Sequence, residues 1–255
     1  MFKIAKLLLQ IAKKPDDDLL RFKLLRKIGK VVFPRYRFKW PQLDWWNNNQ
    51  FNAYLMRFDE IKGANTDRRW MLYQLLRLVD TVPGDTAECG VYKGASSWLI
   101  CKVNQFSKIQ QRTHYMFDSF QGLSQPGDDD GSHWAEGDLS YGIEKVQNNL
   151  KDLSAYSLHP GWIPDRFKDV ENKRFCFVHI DVDLYEPTRD SIVFFYPRMS
   201  SGGIIVCDDY SYSSCPGATK AVDEYLADKP EKMIAMPCGG GFFMKGWATA
   251  GAAAI

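Results

Sequence analysis

Residues 175–183 read FCFVHIDVD, and residues 201–210 read SGGIIVCDDY. Each stretch is a run of apolar, aromatic and β-branched residues that ends in carboxylates, which is the pattern of a buried strand leading into a polar loop. Strands that are apolar on both sides belong to parallel sheets covered by helices on both faces. The two stretches therefore predict the centre of an α/β sheet with acidic side chains at one edge.

Helix-like and strand-like segments alternate on either side of these two stretches. Such alternation produces largely parallel sheets with helices on both faces, so we predict an α/β fold that ends in an antiparallel hairpin. The predicted elements are a helix over 67–79 capped by Asp67, a strand and a helix within 85–103, a strand over 114–120, a helix over 141–151 capped by Ser140, a helix opened by Pro187 that runs to Phe195, a helix over 218–228, and hairpin strands over 232–237 and 241–246.

The composition is that of a globular protein with one large α/β domain or two small ones. Of the 255 residues, 45% are hydrophobic and 25% are charged, which is ordinary for a chain with an extended core. The sequence contains no apolar run of roughly 18 residues that would predict a spanning helix. Six cysteines are scattered without metal-binding or disulfide spacing, which favours a reducing, cytoplasmic compartment.

Charge is distributed unevenly along the chain. Residues 1–40 contain 12 Lys and Arg against 3 Asp and Glu, whereas the whole chain sums to +2. The acidic main body argues against a nucleic acid substrate, because phosphate binding requires basic residues at the site itself. The basic segment suits an anionic membrane surface or an acidic partner; a solvated helix face or a homodimer contact is the alternative. We expect a basic helical extension over 1–66, a main domain over 67–247 and a tail over 248–255.

The turn after the first predicted strand has the spacing Glu88-x-Gly90-x-x-x-Gly94. It matches neither the G-x-G-x-x-G turn of dinucleotide folds nor the G-K-[S/T] of a P-loop. A glutamate in the turn suits an ammonium group, and Ser96 in the first turn of the next helix suits a carboxylate. Together they describe an amino acid, as in S-adenosylmethionine, and Asp118 after the next strand is placed to accept hydrogen bonds from ribose hydroxyls. A Gly-rich turn without a ligand is the alternative.

Three aspartates stand at the ends of the two buried strands predicted within 175–183 and 201–210. Asp181 ends one strand, and Asp208 and Asp209 end the other. Because the carboxyl ends of parallel strands meet at one edge of the sheet, we expect a site of hard oxygen ligands for Mg²⁺ or another divalent cation. Asp181 is also placed to act as a general base. Helix capping is the alternative for any one of these residues, and the position of Asp183 is ambiguous.

The stretch 121–139 is long, polar and glycine-rich, as are loops that close over active sites. It contains His133, and a histidine on such a lid can reach a substrate hydroxyl when the lid closes. An exposed loop histidine without a catalytic role is the alternative. His179, in contrast, lies inside an apolar strand, so we predict a buried core histidine.

Four stretches resemble the macrocin O-methyltransferase family, the sugar O-methyltransferases of macrolide and aminocoumarin pathways. The I-D-x-D-L-Y-E motif followed by G-G-x-x-x-x-D-D-Y is the most specific part of this resemblance, which covers roughly residues 65–245. The stretches are VPGDTAECGVYKGASS (82–97), FDSFQGL (117–123), HIDVDLYEPTRDSIVFFYPRMSSGGIIVCDDY (179–210) and ATKAVDEY (218–225).

The resemblance implies a class I methyltransferase fold, which is a Rossmann-like sheet of seven mostly parallel strands. It implies S-adenosylmethionine as the methyl donor, a divalent cation such as Mg²⁺ as cofactor, and a hydroxyl of a sugar, glycan or glycosylated small molecule as the acceptor. His133 falls in the lid, where the family often has a histidine. The residues implied are Glu88, Gly90, Gly94, Ser96 and Asp118 for the donor, Asp181, Asp208 and Asp209 for the metal, and Asp181 as the base.

Three other functions remain open from the sequence. An enzyme of the same fold would methylate a catechol or another phenol if its acceptor pocket differed. A non-catalytic donor-binding subunit is a second alternative, although it would have no use for a repulsive carboxylate cluster. A nicotinamide-dependent dehydrogenase is the third, and the missing G-x-G-x-x-G turn disfavours it.

Overall fold

The computed structural model describes residues 2–33, 43–63 and 65–248. The chain divides into two compact units, residues 1–61 and residues 62–255. The boundary predicted from the sequence lies a few residues later, after residue 66. Part of the predicted basic segment (34–40) and most of the predicted tail (249–255) lie outside the described residues. No helix of the described ranges is long and apolar enough to cross a membrane.

The first unit is helical in its described residues. Its helices are α1 (Phe2–Lys13), α2 (Asp18–Val32) and α3 (Asn49–Arg57). Helices α1 and α2 pack against each other and are joined by a short acidic turn. In that turn Asp17 caps α2, because its Oδ1 accepts a hydrogen bond from the backbone N–H of Leu20 at 3.0 Å.

The second unit is a seven-stranded sheet flanked by helices, which confirms the predicted fold class. The strand order is β3-β2-β1-β4-β5-β7-β6; the first five of these strands pair in parallel, and the last two form antiparallel pairs. The elements are α4 (Thr66–Leu78), β1 (Asp85–Cys89), α5 (Ala95–Asn104), β2 (His114–Asp118), α6 (Ile143–Asn149), β3 (Tyr156–Pro160), β4 (Phe175–Ile180), α7 (Tyr185–Phe195), β5 (Met199–Cys207), α8 (Pro216–Leu226), β6 (Ile234–Ala235) and β7 (Gly241–Met244).

One strand was not predicted from the sequence, and four helix starts were misplaced, including that of α8, which begins at Pro216 and not at residue 218. Strand β3 lies at the edge of the sheet and is mostly half-buried, so it lacks the apolar run that identifies the central strands. Helix α4 begins at Thr66 after Asn65, not after Asp67. Helix α6 begins after Gly142 instead of Ser140, and helix α7 begins at Tyr185, two residues before Pro187.

The two faces of the central sheet differ in chemistry. On one face, Ala87 and Cys89 of β1 belong to a large apolar core that is rich in phenylalanine. On the other face, residues of β1 pair in register with histidines of both neighbouring strands, Thr86 with His114 and Glu88 with His179. A buried polar layer therefore lies beneath the edge at which the predicted site residues emerge.

Candidate active site

The chain segments that follow β1, β4 and β5 converge at the carboxyl edge of the sheet. The backbone N–H of Asp181 donates to the carbonyl of Cys89, and that of Asp208 donates to the carbonyl of Ile180, both at 2.8 Å. At Gly90 the φ angle is +85°, and a Cβ there would overlap the carbonyl oxygen of Asp181. Only glycine allows this close approach, which brings the predicted donor turn beside the predicted metal ligands.

A cleft of about 590 Å³ opens at this edge. Four of the predicted site residues line it, namely Gly90, Asp118, Asp181 and Asp209. The size suits a small-molecule site, and the cleft extends from the turn after β1 to the end of β5. Other residues that line it are Arg68, Tyr92, Leu123, Trp134, Trp162 and Tyr212.

The carboxylate of Asp118 organises the backbone of the turns around it. Its Oδ2 accepts hydrogen bonds from the N–H groups of Val91 at 2.7 Å and Tyr92 at 3.1 Å. Its Oδ1 accepts one from Phe120 at 2.6 Å. Since an ionised carboxylate has about four acceptor sites, Asp118 retains the capacity to accept one further hydrogen bond on the cleft side.

Three predicted donor residues do not line the cleft. Glu88 is fully buried, and Ser96 is 3% exposed. Gly94 caps α5 with a φ angle of +81°, and its open side faces Val146 and Leu150 of the α6 region. Glu88, Gly94 and Ser96 therefore lie on the interior side of the turn, away from the cleft. Their direct contact with a donor stays a prediction.

The carboxylate of Glu88 is instead the centre of the buried polar layer. It accepts a short hydrogen bond from the hydroxyl of Ser97, and its Oε1 lies 3.0 Å from Nδ1 of His179. Burial opposes ionisation of Glu88, but the hydrogen bonds of His114 and His179 hold its pKa well below the ordinary value. The prediction that His179 is a buried core histidine is confirmed.

His179 also connects Glu88 to the acidic edge. Its Nε2 lies 3.6 Å from Oδ1 of Asp208. Burial alone would lower the pKa of His179, but Asp208 and Glu88 together raise it to about 10. The imidazolium therefore lies between two carboxylates and neutralises part of their charge.

A second cation at this edge was not predicted from the sequence. Nη1 of Arg68 lies 2.8 Å from Oδ2 of Asp208, and Nη2 donates to Oδ1 of Asn65 at 2.8 Å. Although burial favours the neutral acid, Arg68 and His179 keep the pKa of Asp208 well below its usual range. The first turn of α4 thus contributes to the site, and an arginine within an amphipathic helix gives no signal of such a role.

The other acidic side chains of the edge are buried or half-buried and lie close enough to repel one another when ionised. Burial, and then the charge of Asp208, raises the pKa of Asp181 to about 7. Burial raises the pKa of Asp183 to about 6, and burial with the charges of Asp183 and Asp181 raises that of Asp209 well above its ordinary value. A divalent cation would offset this repulsion.

The candidate metal ligands form two neighbouring groups in the described part of the chain. Ligand atoms of His179, Asp181 and Asp208 lie within 4.8 Å of one another, and so do those of Asp183, Asp209 and Cys215. The three aspartates predicted as one set are thus divided between the groups. Asp181 and Asp209 face the cleft from the two groups, and their oxygens suit a hard cation.

The lid predicted over 121–139 is anchored at its middle. A short 3-10 turn, Asp128–Asp130, places the buried carboxylate of Asp130 where it accepts hydrogen bonds from the N–H groups of Tyr185 at 2.7 Å and Gly127 at 2.8 Å. A Cβ on Gly217 of α8 would overlap that carboxylate. The lid is therefore fixed to α7 and α8 through Asp130.

The lid presents Trp134 to the cleft. Its indole N–H donates to Sγ of Cys215 at 3.4 Å. The predicted catalytic histidine, His133, packs edge-on against Trp134, is exposed and does not line the cleft.

The second unit of the chain matches a known protein family. Residues 72–239 match the sequence model of the family described as macrocin-O-methyltransferase (TylF). The chain belongs to the macrocin-O-methyltransferase family. The matched region extends from α4 to the final hairpin, whereas Arg68 and the first unit lie outside it.

Individual members of the macrocin-O-methyltransferase family share about a third of the aligned residues. The chain is 31% identical over 159 residues to demethyldecarbamoylnovobiocin O-methyltransferase of Streptomyces niveus, which covers 58% of this chain and 60% of that protein. It is 33% identical over 164 residues to mycinamicin III 3''-O-methyltransferase of Micromonospora griseorubida, which covers 58% and 62%. The match thus spans about 60% of the length of these relatives. The solved structure of the O-methyltransferase NovP has 29% identity and a TM-score of 0.61, and the match covers 71% of this chain and 80% of that one.

Proposed function

We propose that the protein is an S-adenosylmethionine-dependent O-methyltransferase that acts, with the help of a divalent cation, on a hydroxyl of a sugar or glycosylated molecule. The observation that carries the proposal is a single cleft lined by Gly90 and Asp118 on one side and by Asp181 and Asp209 on the other. Methyl transfer to an alcohol requires a donor site and a base next to each other.

The donor would lie over the turn after β1. Gly90 leaves the backbone of this turn open to the cleft, and the remaining acceptor capacity of Asp118 suits a ribose hydroxyl. Glu88, Gly94 and Ser96 would hold the shape of the turn from the interior. S-adenosylmethionine, when bound, supplies a methyl group activated by the positive charge on sulfur.

Asp181 is the proposed general base. Asp181 lines the same cleft as Gly90 and Asp118 of the proposed donor site, where its carboxylate can accept the proton of an acceptor hydroxyl. In the proposed step the acceptor hydroxyl gives its proton to Asp181, and its oxygen bonds to the methyl carbon as the carbon–sulfur bond breaks. A catalytic role for His133 remains a prediction.

Asp181, Asp208 and Asp209 would hold the divalent cation, with Mg²⁺ as the predicted ion. Burial, together with repulsion among the carboxylates, raises the pKa values of Asp181 and Asp209, and a bound cation would offset that repulsion. The cation, when bound, lowers the pKa of an acceptor hydroxyl and orients it. Arg68 and His179 neutralise the charge of Asp208. They thereby allow the three carboxylates to lie close together.

A sugar is the proposed acceptor. Aromatic side chains of Trp134, Trp162 and Tyr212 line it, and such walls pack against the apolar faces of small ligands while nearby polar groups orient them. The two relatives named above are O-methyltransferases of glycosylated antibiotics by their names. A phenol or catechol would fit the same aromatic walls and is the second candidate.

The test is to incubate the purified chain with S-adenosylmethionine and Mg²⁺ against a panel of nucleotide-linked sugars, glycosides and catechols. We expect release of S-adenosylhomocysteine and a mass gain of one CH₂ on a sugar. The variant Asp181→Asn keeps the size of the side chain and removes the base, so it should lose turnover. If only catechols were methylated, the acceptor would be a phenol and not a sugar.

Two predictions about assembly and compartment accompany this function. A homodimer is expected, and light scattering of the purified chain measures it. The six cysteines are all free, which supports a reducing, cytoplasmic location. Contact of the basic N-terminal segment with a membrane surface is argued separately below.

A further inference from the structure

We infer that α1 and α2 form a docking surface for an anionic lipid bilayer. The two helices and the turn between them, residues 2–33, are called the basic hairpin here. It belongs to the first unit of the chain and lies outside the region that matches the family. The inference is independent of the proposed methyl transfer, because it concerns where the enzyme is held and not what it catalyses.

The basic hairpin exposes an apolar stripe along α2. Leu25, Ile28 and Val32 are 52%, 45% and 77% exposed. Their spacing of three and four residues places them on one face of the helix. On α1, Leu8 and Leu9 are also more than half exposed. Exposed apolar side chains grouped on one face of a helix mark an interaction site.

Positive charge lies on the opposite side of the same helix. Lys23, Lys27 and Lys30 follow one another at four and three residues, and at about 100° per residue they fall across the helix from the apolar stripe. An apolar face opposed by a lysine-rich face is the arrangement of helices that lie in the interface of a membrane.

The net charge of the basic hairpin favours an anionic lipid bilayer over other binding partners. Residues 1–33 contain nine Lys and Arg against three Asp, a balance of +6. Each basic residue near an anionic leaflet adds to the attraction. Two such hairpins brought face to face would repel each other, which disfavours a second copy of the chain. A nucleic acid would engage the lysines and leave the apolar stripe in water.

The experiment uses the full chain in vesicle flotation, with phosphatidylcholine vesicles that contain or lack phosphatidylglycerol. We expect binding to the anionic vesicles that is at least about tenfold stronger than to the neutral ones and that weakens as salt is raised. The double variant Leu25→Asp with Ile28→Asp should lose this binding by a similar factor.

The matched control is Phe106→Asp, which makes the same change at a side chain that is 76% exposed in the other unit of the chain. It should bind vesicles as the wild type does, and both variants should keep the wild-type affinity for S-adenosylmethionine. Equal binding to neutral vesicles, no binding at low salt, or unchanged binding of the double variant would overturn the inference. So would an oligomer in vesicle-free solution that the double variant dissociates, because a second copy would then cover the stripe.

Discussion

Nη1 of Arg68 lies 2.8 Å from Oδ2 of Asp208, so helix α4 supplies a fixed positive charge to the acidic edge of the sheet. The chain thus compensates one carboxylate of the edge with its own cations. Asp181 and Asp209 keep raised pKa values and line the cleft. Of the three proposed metal ligands, Asp208 is thus neutralised by cations of the chain itself, whereas the repulsion at Asp181 and Asp209 would be offset by a bound divalent cation.

Replacing Arg68 with methionine should destabilise the fold strongly. The change would leave the buried charge of Asp208 to His179 alone, and breaking a buried ion pair from one side costs about 3–5 kcal/mol. Denaturant unfolding measures the loss. Arg77→Met, at an exposed position of the same helix, should stay within about 0.5 kcal/mol of the wild type. Equal stability of the two variants would show that the Arg68 contact contributes nothing.

Replacing Asp209 with asparagine should stabilise the metal-free protein at high pH. A carboxyl group whose pKa is raised in the folded state favours folding below its unfolded pKa, near 3.8, and this contribution is lost as the pH rises through the folded value. At a pH above the folded pKa and without divalent cations, we expect the variant to unfold at a higher denaturant concentration than the wild type, because asparagine buries no charge among the neighbouring carboxylates.

The same comparison tests the metal site. The stability gap between the Asp209→Asn variant and the wild type should close as the pH falls towards 4, the unfolded pKa of an aspartate. Mg²⁺ should raise the melting temperature of the wild type at pH 8 and leave the variant unchanged. A variant that is less stable than the wild type in EDTA at pH 8 would contradict the argument from charge repulsion.

Loss of the Asp130 carboxylate should weaken binding of the acceptor without affecting binding of the donor. Asp130→Ala removes the two backbone contacts that fix the lid, so Trp134 would lose its position over the cleft. We expect the KM for the acceptor to rise about tenfold or more, in line with losing 1–3 kcal/mol of positioning, with little change in donor affinity. Asp129→Ala is the matched control, because the neighbouring Asp129 is exposed and pairs only with Lys220 among the ion pairs found.

Glu88→Gln distinguishes an internal role for Glu88 from direct donor contact. If the carboxylate serves the buried layer, the variant leaves the charge of His179 poorly matched, and the fold should lose about 3 kcal/mol or more. Donor affinity of the folded variant should then stay within a few-fold of the wild type. Loss of donor binding with unchanged stability would instead indicate that Glu88 contacts the donor directly. The exposed Glu144→Gln serves as a control for the charge change.

The sheet could be predicted from the sequence because its central strands are fully buried. All six residues of β4, from Phe175 to Ile180, are buried, and such a strand has an unmistakable apolar run. The convergence of carboxylates followed from the rule that parallel strands end at the same edge. Strand β3 was not predicted because it lies at the edge of the sheet, where polar and half-buried residues replace an apolar run.

The internal electrostatics of the site could not be predicted in the same way. Glu88 and His179 are 91 residues apart in the chain and meet only through the register of β1 with β4. Arg68 reaches Asp208 from a helix 140 residues earlier. Spacing along the chain contains no information about such contacts, so the sequence assigned Glu88 to the donor and gave Arg68 no role.

Calorimetric titration of S-adenosylmethionine into the purified chain, in Mg²⁺ and in EDTA, tests the central claim most directly. The donor side, with Gly90 and Asp118, is built from different residues than the carboxylates proposed to hold the metal. We therefore predict micromolar binding that survives EDTA. An absence of binding in both conditions would contradict the proposed methyl transfer and leave the acidic edge as a cation site of another purpose.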